Sequence, residues 1–278
     1  MTSGSSFRPD VGRALDRIHR ACGRSSLATR LALKVRNQCD RVVAASVSDG
    51  IDMRFNGELW LVERLRGTVR TFVDVGANVG DWTEAMLRRH ERAVGFCFEP
   101  SPSALAVLSP RALSWPTVRV VPKAVSDEEG VMDFCDLGDA AQTSGAADVL
   151  GDSGGKGAVI EVPAVTLDRE LERLGVLDVD LLKIDAEGLD WRVLRGTAGL
   201  LSRGRVRVVQ FEYGDGWARS GGTLWSIVAL LSRCGYGVRL LRSSGLTPVN
   251  LEALGEFFAY SNFVAFRKGE ERALGVEP

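Results

Sequence analysis

Residues 71–82 restrict the fold of this chain more than any other segment. Their letters, TFVDVGANVGDW, begin with an apolar, β-branched run, pass through a turn that contains Gly76 and Gly80, and enter a helical pattern. Because glycine has no Cβ, the backbone can turn sharply at these positions and approach a ligand closely. A strand that leads through such a turn into a helix is typical of a βαβ unit. The segment therefore predicts a parallel sheet that holds a ligand at its strand ends.

The chain beyond residue 71 continues this alternation of strands and helices. Runs such as DLLKI and VRVVQF are apolar without alternation, which is typical of strands buried on both faces. We predict seven strands, at residues 71–75, 94–98, 118–122, 180–184, 206–211, 238–241 and 263–266. We predict helices near residues 82–89, 104–108, 167–174, 191–201 and 224–234. The expected fold is α/β, with a mostly parallel seven-stranded sheet and helices on both faces.

The first 50 residues differ from the rest and predict an α-helical N-terminal extension to a domain over residues 51–278. Apolar residues recur there at helical spacing in two short stretches. Acids are few, whereas arginine stands at Arg8, Arg13, Arg17, Arg20, Arg24, Arg30, Arg36 and Arg41. A helical cap or a homodimer contact is the first interpretation. Binding to an anionic membrane or an acidic substrate, and an organelle transit segment, are the alternatives.

One segment inside the domain, residues 138–157, breaks the alternation. It is rich in Gly, Ala, Ser and Asp, so it has little apolar surface to bury and predicts a mobile loop. The runs on either side of it, residues 131–135 and 158–162, can pair as an inserted hairpin.

Charge and cysteine content argue against several partners and locations. The formal net charge is −1 with a pI near 6.2. The chain therefore has no excess of basic residues that would favour binding to nucleic acid. The five cysteines are scattered without a CxxC pair, which predicts reduced thiols in the cytoplasm. The apolar runs fall far short of the roughly 20 residues that span a bilayer. We therefore expect a protein that is neither secreted nor membrane-embedded.

The DVGANVG turn has the spacing of a cofactor loop. Its D-x-G-x-x-x-G pattern does not fit the dinucleotide fingerprint G-x-G-x-x-G, but it does fit the acid-then-glycines pattern of methyltransferases. Asn78, next to Ala77, stands where a glycine often occurs. Asp74 at the strand end can attract the ammonium group of the cofactor, and helix N-terminal amides can receive its carboxylate. A purely structural tight turn is the alternative.

Two later motifs extend this prediction. Glu99 ends the second strand about 20 residues after the glycines, where an acid can accept hydrogen bonds from both ribose hydroxyls. The alternative is an ordinary strand-terminal acid. Ser126 and Asp127 in KAVSD follow the third strand and can contact adenine, although Ser-Asp-Glu-Glu-Gly also suits a plain turn.

A cluster of charged residues follows the fourth and fifth strands. DLLKIDAEG brings Lys183, Asp185 and Glu187 to the end of a buried strand, and VVQFEY brings Glu212 to the end of the next. Charged side chains against a buried strand are costly unless paired or solvated, which favours a functional site over a structural role. A lysine–carboxylate pair that only stabilises the loop is the competing explanation.

The pocket for the acceptor, the molecule that would be modified, is predicted from loops rather than from a motif. We expect it to be formed by residues 213–223, the insertion and residues 257–262, with Trp217 and Tyr260 as flat contacts for a ring. Packing of these aromatics under a loop is an equal alternative. His19 and His90 lie away from the predicted ligand edge and are expected to be surface residues.

Taken together, DVGANVG, FEPSP, KAVSD, TLD, LLKIDAEG and VVQFE resemble the FkbM family of methyltransferases over residues 71–268. The resemblance implies a class I methyltransferase (Rossmann-like) fold, S-adenosylmethionine as cofactor and oxygen as the usual acceptor atom. Carried over by position, the cofactor would contact Asp74, Gly76, Asn78, Gly80, Glu99 and Asp127, and the reaction centre would be bordered by Lys183, Asp185 and Glu187. Leu189 and Asp190 depart from the commonest pattern, which puts contacts from that turn in doubt.

The expected activity is O-methylation of a small-molecule, sugar or secondary-metabolite hydroxyl. Deprotonating an alcohol near neutral pH requires a base or a bound cation. Asp185 is our first choice for the base or a metal ligand, with Glu187 and Glu212 in support, and a Mg²⁺ ion held by two carboxylates is chemically reasonable. An NAD-dependent oxidoreductase and a catalytically inactive cofactor-binding scaffold are the alternatives.

Overall fold

The computed structural model describes residues 11–138, 144–150 and 157–276. The chain divides into two units between Ser46 and Val47. The first unit contains helix α1 Val11–Gly23 and all but the last residue of α2 Ser26–Val47, and α2 is longer than the short helix that the sequence predicted. Several apolar side chains on these helices are exposed, namely Leu15, Ile18, Leu27, Leu31, Leu33, Val35 and Val42. The homodimer contact through this unit stays a prediction.

The second unit contains every other element of the described chain. Its strands are β1 Thr71–Val75, β2 Val94–Phe98, β3 Val118–Val121, β4 Ala124–Val125, β5 Gly130–Asp136, β6 Gly145–Ala146, β7 Ala158–Val165, β8 Val179–Ile184, β9 Val206–Tyr213, β10 Tyr236–Arg242, β11 Gly245–Thr247 and β12 Ser261–Arg267. Its helices are α3 Glu58–Arg64, α4 Asp81–Leu87, α5 Pro102–Ala112, α6 Ala147–Leu150, α7 Leu167–Arg173, α8 Asp190–Arg195, α9 Ala198–Ser202, α10 Asp215–Ser220, α11 Leu224–Arg233, α12 Leu251–Leu254 and α13 Glu271–Leu274. No helix in these described ranges is both long and apolar enough to cross a bilayer.

The main sheet has the strand order β11-β10-β12-β9-β8-β1-β2-β3. Strands β3, β2, β1, β8 and β9 run parallel to one another, whereas β12 is antiparallel to β9 and to β10. All seven predicted strands are present, and the predicted α/β architecture with a mostly parallel sheet is confirmed. The predicted strand number is wrong by one, because the short β11 forms a hairpin with β10 and adds an eighth strand at the edge.

A second, smaller sheet follows the third strand, in the order β4-β7-β5-β6. Strands β5 and β7 pair antiparallel from Gly130↔Ala164 to Asp136↔Ala158, so the predicted inserted hairpin is confirmed. Between these strands the described residues 144–150 form β6 and α6 rather than a plain loop. Residues 139–143 and 151–156 of the predicted mobile loop lie outside the described residues.

The sheet is buried on both faces, as the apolar runs predicted. Neighbouring residues of one strand belong to opposite apolar clusters: Val73, Leu182 and Val209 pack on one face, while their chain neighbours pack on the other. These are Phe72, Leu181 and Val208, which join Trp82 and Met86 of α4. Alternate residues of a strand point to opposite faces, so a continuous apolar run fills both layers.

The predicted helix over residues 191–201 is wrong in its continuity, because the chain forms α8 and α9 instead. Asp168, the acid of the TLD motif, accepts hydrogen bonds from the backbone N–H groups of Gly199 and Leu200, each at 2.7 Å. Those N–H groups lie in the first turn of α9 and would otherwise lack a partner. A carboxylate from a distant segment therefore starts a new helix where the sequence pattern suggests one helix.

The turn after β1 brings its backbone against the end of β8. Gly76 has φ +77°, and a Cβ built on it would lie 1.9 Å from the carbonyl oxygen of Asp185. Asn78 also has a positive φ, of 48°, which asparagine tolerates better than most residues. The glycine is thus required both by its backbone conformation and by the close approach of the two strand ends.

We expect Gly76→Ala to destabilise the domain more than Gly67→Ala does. Gly67 has a similar φ of +74° but nothing within 4 Å of a built Cβ, so its replacement carries only the left-handed strain of about 1–2 kcal/mol. The Gly76 variant must also displace the backbone of Asp185, for a total of about 3 kcal/mol or more. Chemical denaturation of both variants measures the difference, and equal losses would contradict the steric argument.

Candidate functional site

A cavity of about 910 Å³ opens at the carboxyl ends of β1, β2, β8 and β9. In parallel α/β sheets ligands bind at this edge, and the volume suits a cofactor together with a small acceptor. Most of the predicted site residues are on its wall, namely Gly76, Ala77, Asn78, Glu99, Lys183, Asp185, Glu187 and Glu212. The wall also includes Gly138, Ser144 and Ala146 from the predicted insertion.

Glu99 lies on the side of the cavity formed by the β1 and β2 turns. Glu99 is 5% exposed. Its carboxylate accepts backbone hydrogen bonds from Asn78 at 2.7 Å and from Ser101 at 2.8 Å. Burial raises the pKa of Glu99 to about 7, against the lowering effect of those two hydrogen bonds. The residue therefore stabilises both turns and still presents carboxylate oxygens to the cavity.

Asp74 is not on the cavity wall, and its predicted attraction of the cofactor's ammonium group stays a prediction. Its side chain is fully buried beneath the turn, where it accepts a hydrogen bond from the Thr83 hydroxyl at 2.7 Å. Burial raises its pKa, and the nearby Lys183 ammonium opposes that rise. Asp74 therefore serves as a buried counter-ion of Lys183.

Three further residues predicted to hold the cofactor also lie off the wall. Gly80 immediately precedes α4, and a Cβ there would lie 2.8 Å from Leu108 and from Trp115, so packing requires a glycine at this position. Asp127 pairs with Arg195 at 3.4 Å, and the Ser126 hydroxyl donates to Asp127. The cavity is instead lined by their chain neighbours, Lys123, Ala124 and Val125.

Lys183 joins the two strand ends at the centre of the site. It is opposite Asp74 in the β1–β8 register. Its ammonium group lies 3.5 Å from the Asp74 carboxylate and 3.1 Å from that of Asp185. Burial lowers its pKa, but the surrounding carboxylates outweigh this effect, and the pKa is raised well above the usual value. Lys183 is therefore a permanent cation that holds Asp185 at the cavity.

Around Asp185 lies a carboxylate cluster that consists of Asp185, Glu187, Asp190 and Glu212. Burial, strengthened by repulsion from Asp185, raises the pKa of Glu187 to about 8 and that of Asp190 to about 7. The same two causes raise the pKa of Glu212 well above its usual value. Glu187 also has a positive φ of 50°, an uncommon conformation that is over-represented at functional sites. Such crowding keeps protons within the site near neutral pH.

Asp190 was missed as a site residue because the sequence marked it only as a departure from the family pattern. It is fully buried at the start of α8, where Oδ1 accepts the backbone N–H of Glu212 at 3.2 Å. Its other oxygen has no hydrogen-bond partner within the described chain. Asp190 therefore orients the end of β9 and adds negative charge behind Glu212.

A polar network from both ends of the domain completes the cavity; Tyr260 and Asn262 lie in the predicted segment 257–262, whereas Asn56 and Glu58 were not predicted. The Asn56 amide donates to Glu58 Oε1 at 2.7 Å and to the Tyr260 hydroxyl at 3.2 Å. The Asn262 amide donates to the same hydroxyl, also at 3.2 Å. Glu58 and Tyr260 line the cavity. Glu58 is 7% exposed, and burial raises its pKa.

Other parts of the predicted acceptor side are wrong. Trp217 is 1% exposed and packs against Phe211 and Tyr213, so it belongs to the apolar core. No residue of the predicted segment 213–223 is on the cavity wall, and of residues 257–262 only Tyr260 is. His90 is buried rather than on the surface, with Nε2 3.1 Å from the Val62 carbonyl oxygen. His19 is exposed as predicted.

Metal binding gains no support from the site. Within residues 11–138, 144–150 and 157–276, no group of three or more His, Cys, Asp or Glu side chains is arranged to hold a metal ion. The carboxylate cluster already has a counter-ion in Lys183. The Mg²⁺ ion suggested by the sequence therefore enters no step below.

Comparison with known proteins gives a consistent result. Residues 74–238 match the model of the methyltransferase FkbM domain. The chain is 31% identical over 191 residues to the 31-O-demethyl-FK506 methyltransferase FkbM of Streptomyces tacrolimicus, which covers 59% of this chain and 72% of the relative.

Two solved structures illustrate the structural similarity. The methyltransferase FkbM from Methylobacillus flagellatus is 13% identical with a TM-score of 0.44, over 84% of this chain and 60% of that one. The present chain therefore spans less than two thirds of that protein. Fibrillarin from Aeropyrum pernix, in complex with S-adenosyl-L-methionine, is 13% identical with a TM-score of 0.40, over 81% of this chain and 74% of that one.

We expect the free energy of unfolding to fall as the pH rises from about 4.5 to about 8. Over this window the native state retains the Glu187 proton, whose pKa is raised from 4.5 to about 8, while the unfolded chain releases it. The native state then binds more protons than the unfolded state, so stability decreases by at most about 1.4 kcal/mol per pH unit for this group.

Denaturation curves across this pH range for Glu187→Gln measure the contribution of that carboxyl. The variant is expected to lose part of the pH-dependent decline, because its amide cannot ionise. Glu161→Gln, at an exposed position on β7, is the matched control and should follow the unmodified chain. An unchanged slope in the Glu187 variant would show that this residue does not retain a proton.

Proposed function

The chain belongs to the FkbM family of S-adenosylmethionine-dependent methyltransferases, and we propose that it methylates a hydroxyl oxygen of a small molecule, sugar or secondary metabolite. The observation that carries the proposal is the convergence of Asp185, Glu187 and Glu212 on one cavity at the carboxyl edge of the sheet. An alcohol must lose its proton as its oxygen is methylated, so a cluster of carboxylates supplies the group that the reaction needs. The name of the Streptomyces relative, which refers to a 31-O-demethyl compound, supports oxygen as the acceptor atom.

The residues on the β1 and β2 side of the cavity fit the cofactor. Gly76, Ala77 and Asn78 let the backbone form one wall, and Glu99 offers carboxylate oxygens to a pair of ribose hydroxyls. The acidic wall also favours a ligand with a positively charged sulfur. When bound, S-adenosylmethionine supplies a methyl group that is already electrophilic. The family match favours this chemistry over the nicotinamide alternative.

Asp185 is the proposed proton acceptor. The Lys183 ammonium donates to Oδ2 of Asp185 at 3.1 Å, which orients the carboxylate and leaves Oδ1 for the acceptor hydroxyl. Asp185 would take up the hydroxyl proton as the acceptor oxygen is methylated, and bound S-adenosylmethionine would supply the methyl group and keep the bonding electron pair on its sulfur. Glu187 and Glu212 hold further protons beside it, so the proton has a route out of the cluster. Positioning of the hydroxyl against the donor supplies the remaining acceleration.

Asp185→Asn is expected to lower the turnover rate by about 10²- to 10⁴-fold, which is the usual contribution of a general base. The amide keeps a hydrogen-bond acceptor for Lys183, so cofactor affinity should stay within about twofold of the original. Mass spectrometry of products from a panel of hydroxylated metabolites measures turnover, and calorimetry measures affinity. Asp180→Asn, the same change at the opposite end of β8, is the control. Full activity of Asp185→Asn would refute the proposed role.

Glu99→Ala is expected to weaken S-adenosylmethionine binding by about 10- to 100-fold, since hydrogen bonds to a charged group contribute about 1.5–3 kcal/mol. Asp136→Ala is a matched control, because Asp136 also accepts a backbone hydrogen bond in this region, from Ser103 at 3.2 Å, but is not on the cavity wall. Calorimetric titration of both variants separates cofactor contact from loop support. Equal losses of affinity would leave Glu99 with a structural role only.

A further inference from the structure

The Tyr260 hydroxyl is held so that it can act only as a hydrogen-bond donor. Its oxygen accepts one hydrogen bond from the Asn56 amide and one from the Asn262 amide, which uses both of its lone pairs. In the described part of the chain, no group accepts a hydrogen bond from its O–H. Burial raises the pKa of the phenol, so its proton is retained. Because Tyr260 lines the cavity, that proton is available to a ligand.

The two amides are themselves fixed by buried contacts. Asn56 is 2% exposed, and its side-chain oxygen accepts the backbone N–H of Glu58 at 3.0 Å. Asn262 is 4% exposed and is opposite Glu212 in the β9–β12 register. The Tyr260 hydroxyl is therefore oriented by two buried side chains and lies next to the strand end that carries Glu212.

This network lies outside the part of the chain that the family model matches. The match covers residues 74–238, whereas Asn56 and Glu58 precede it and Tyr260 and Asn262 follow it. The network also adjoins Glu212, which is opposite Asn262 in the β9–β12 register. The network thus belongs to the half of the cavity that lies away from the turns after β1 and β2.

The charges on the cavity wall restrict what this half can bind. Three cations line the described wall, and each already has an anionic partner: Lys183 pairs with Asp185, Lys123 with Glu170, and Arg54 with Asp52. Seven acidic side chains share the wall, namely Asp52, Glu58, Asp81, Glu99, Asp185, Glu187 and Glu212. A phosphate or carboxylate on the acceptor would find no unpaired cation in the described wall, and the wall acids that are ionised would repel it.

We propose that Tyr260, oriented by Asn56 and Asn262, donates a hydrogen bond to an oxygen of the acceptor, and that the acceptor is an uncharged polyhydroxylated compound. This inference rests on the proposed function of the same cavity. The reacting hydroxyl donates to Asp185 while a neighbouring oxygen of the acceptor receives the Tyr260 proton. Two such contacts of opposite polarity fix a diol in one orientation, which neither contact does alone.

The test uses three monosaccharide probes that differ in charge: methyl α-D-glucopyranoside, D-glucuronate and glucose 6-phosphate. Each is titrated into the full chain saturated with S-adenosylhomocysteine, and binding is measured by saturation-transfer NMR. The neutral glucoside should bind the unmodified chain more tightly than either anion. Tyr260→Phe should weaken glucoside binding by about three- to tenfold, which corresponds to one neutral hydrogen bond.

Tyr213→Phe is the matched control. Tyr213 also donates a buried hydrogen bond, to Glu256 at 2.9 Å, but it does not line the cavity. Its loss should lower the melting temperature without changing glucoside affinity, so the comparison separates ligand contact from structural support. The inference is overturned if the glucoside does not bind, if either anion binds as tightly, or if the two tyrosine variants bind alike.

Failure of this inference is distinguishable from failure of the proposed function. Calorimetry of S-adenosylhomocysteine with the unmodified chain is carried out before the sugar titrations. Absence of cofactor binding would refute the methyltransferase proposal itself. Normal cofactor binding with any of the three overturning results would refute only the role of Tyr260 and the uncharged acceptor.

Discussion

The buried ion pair between Lys183 and Asp74 is the interaction on which the rest of the site depends. Neither charge could stay buried alone, because desolvation of a single ion costs several kcal/mol and removal of one partner typically costs about 3–5 kcal/mol. The pair joins β1 to β8 and directs the same ammonium group at Asp185. With Gly76 held against the Asp185 backbone, it sets the distance between the two turns that form the cavity.

Much of the fold could be predicted because its strands are continuous apolar runs. The predicted strand at residues 71–75 coincides with β1, and that at residues 94–98 coincides with β2, since both are buried on two faces and end at a turn. The eighth strand, Gly245–Thr247, could not be found because three residues carry no periodic signal. The break between α8 and α9 depends on Asp168, a contact from more than 30 residues away.

The site was predicted where chemistry follows a strand end directly, as at Asp185, Glu187 and Glu212. For Asp74 the sequence shows only that an acid ends the strand; the structure adds that its carboxylate is buried beneath the turn rather than on the cavity wall. Asn56 and Glu58 were missed because they join Tyr260 only through folding, across 204 residues for the Asn56 contact. Trp217 illustrates the opposite error, since an aromatic residue in a predicted loop turned out to be 1% exposed.

The position of the Asn56–Tyr260–Asn262 network has a consequence for protein engineering. Its members come from the segments that flank the matched core, before residue 74 and after residue 238. The half of the cavity next to Glu99 is formed within that core. Libraries confined to the flanking segments would therefore vary the substrate range of the enzyme while the donor-binding half kept its original amino acids.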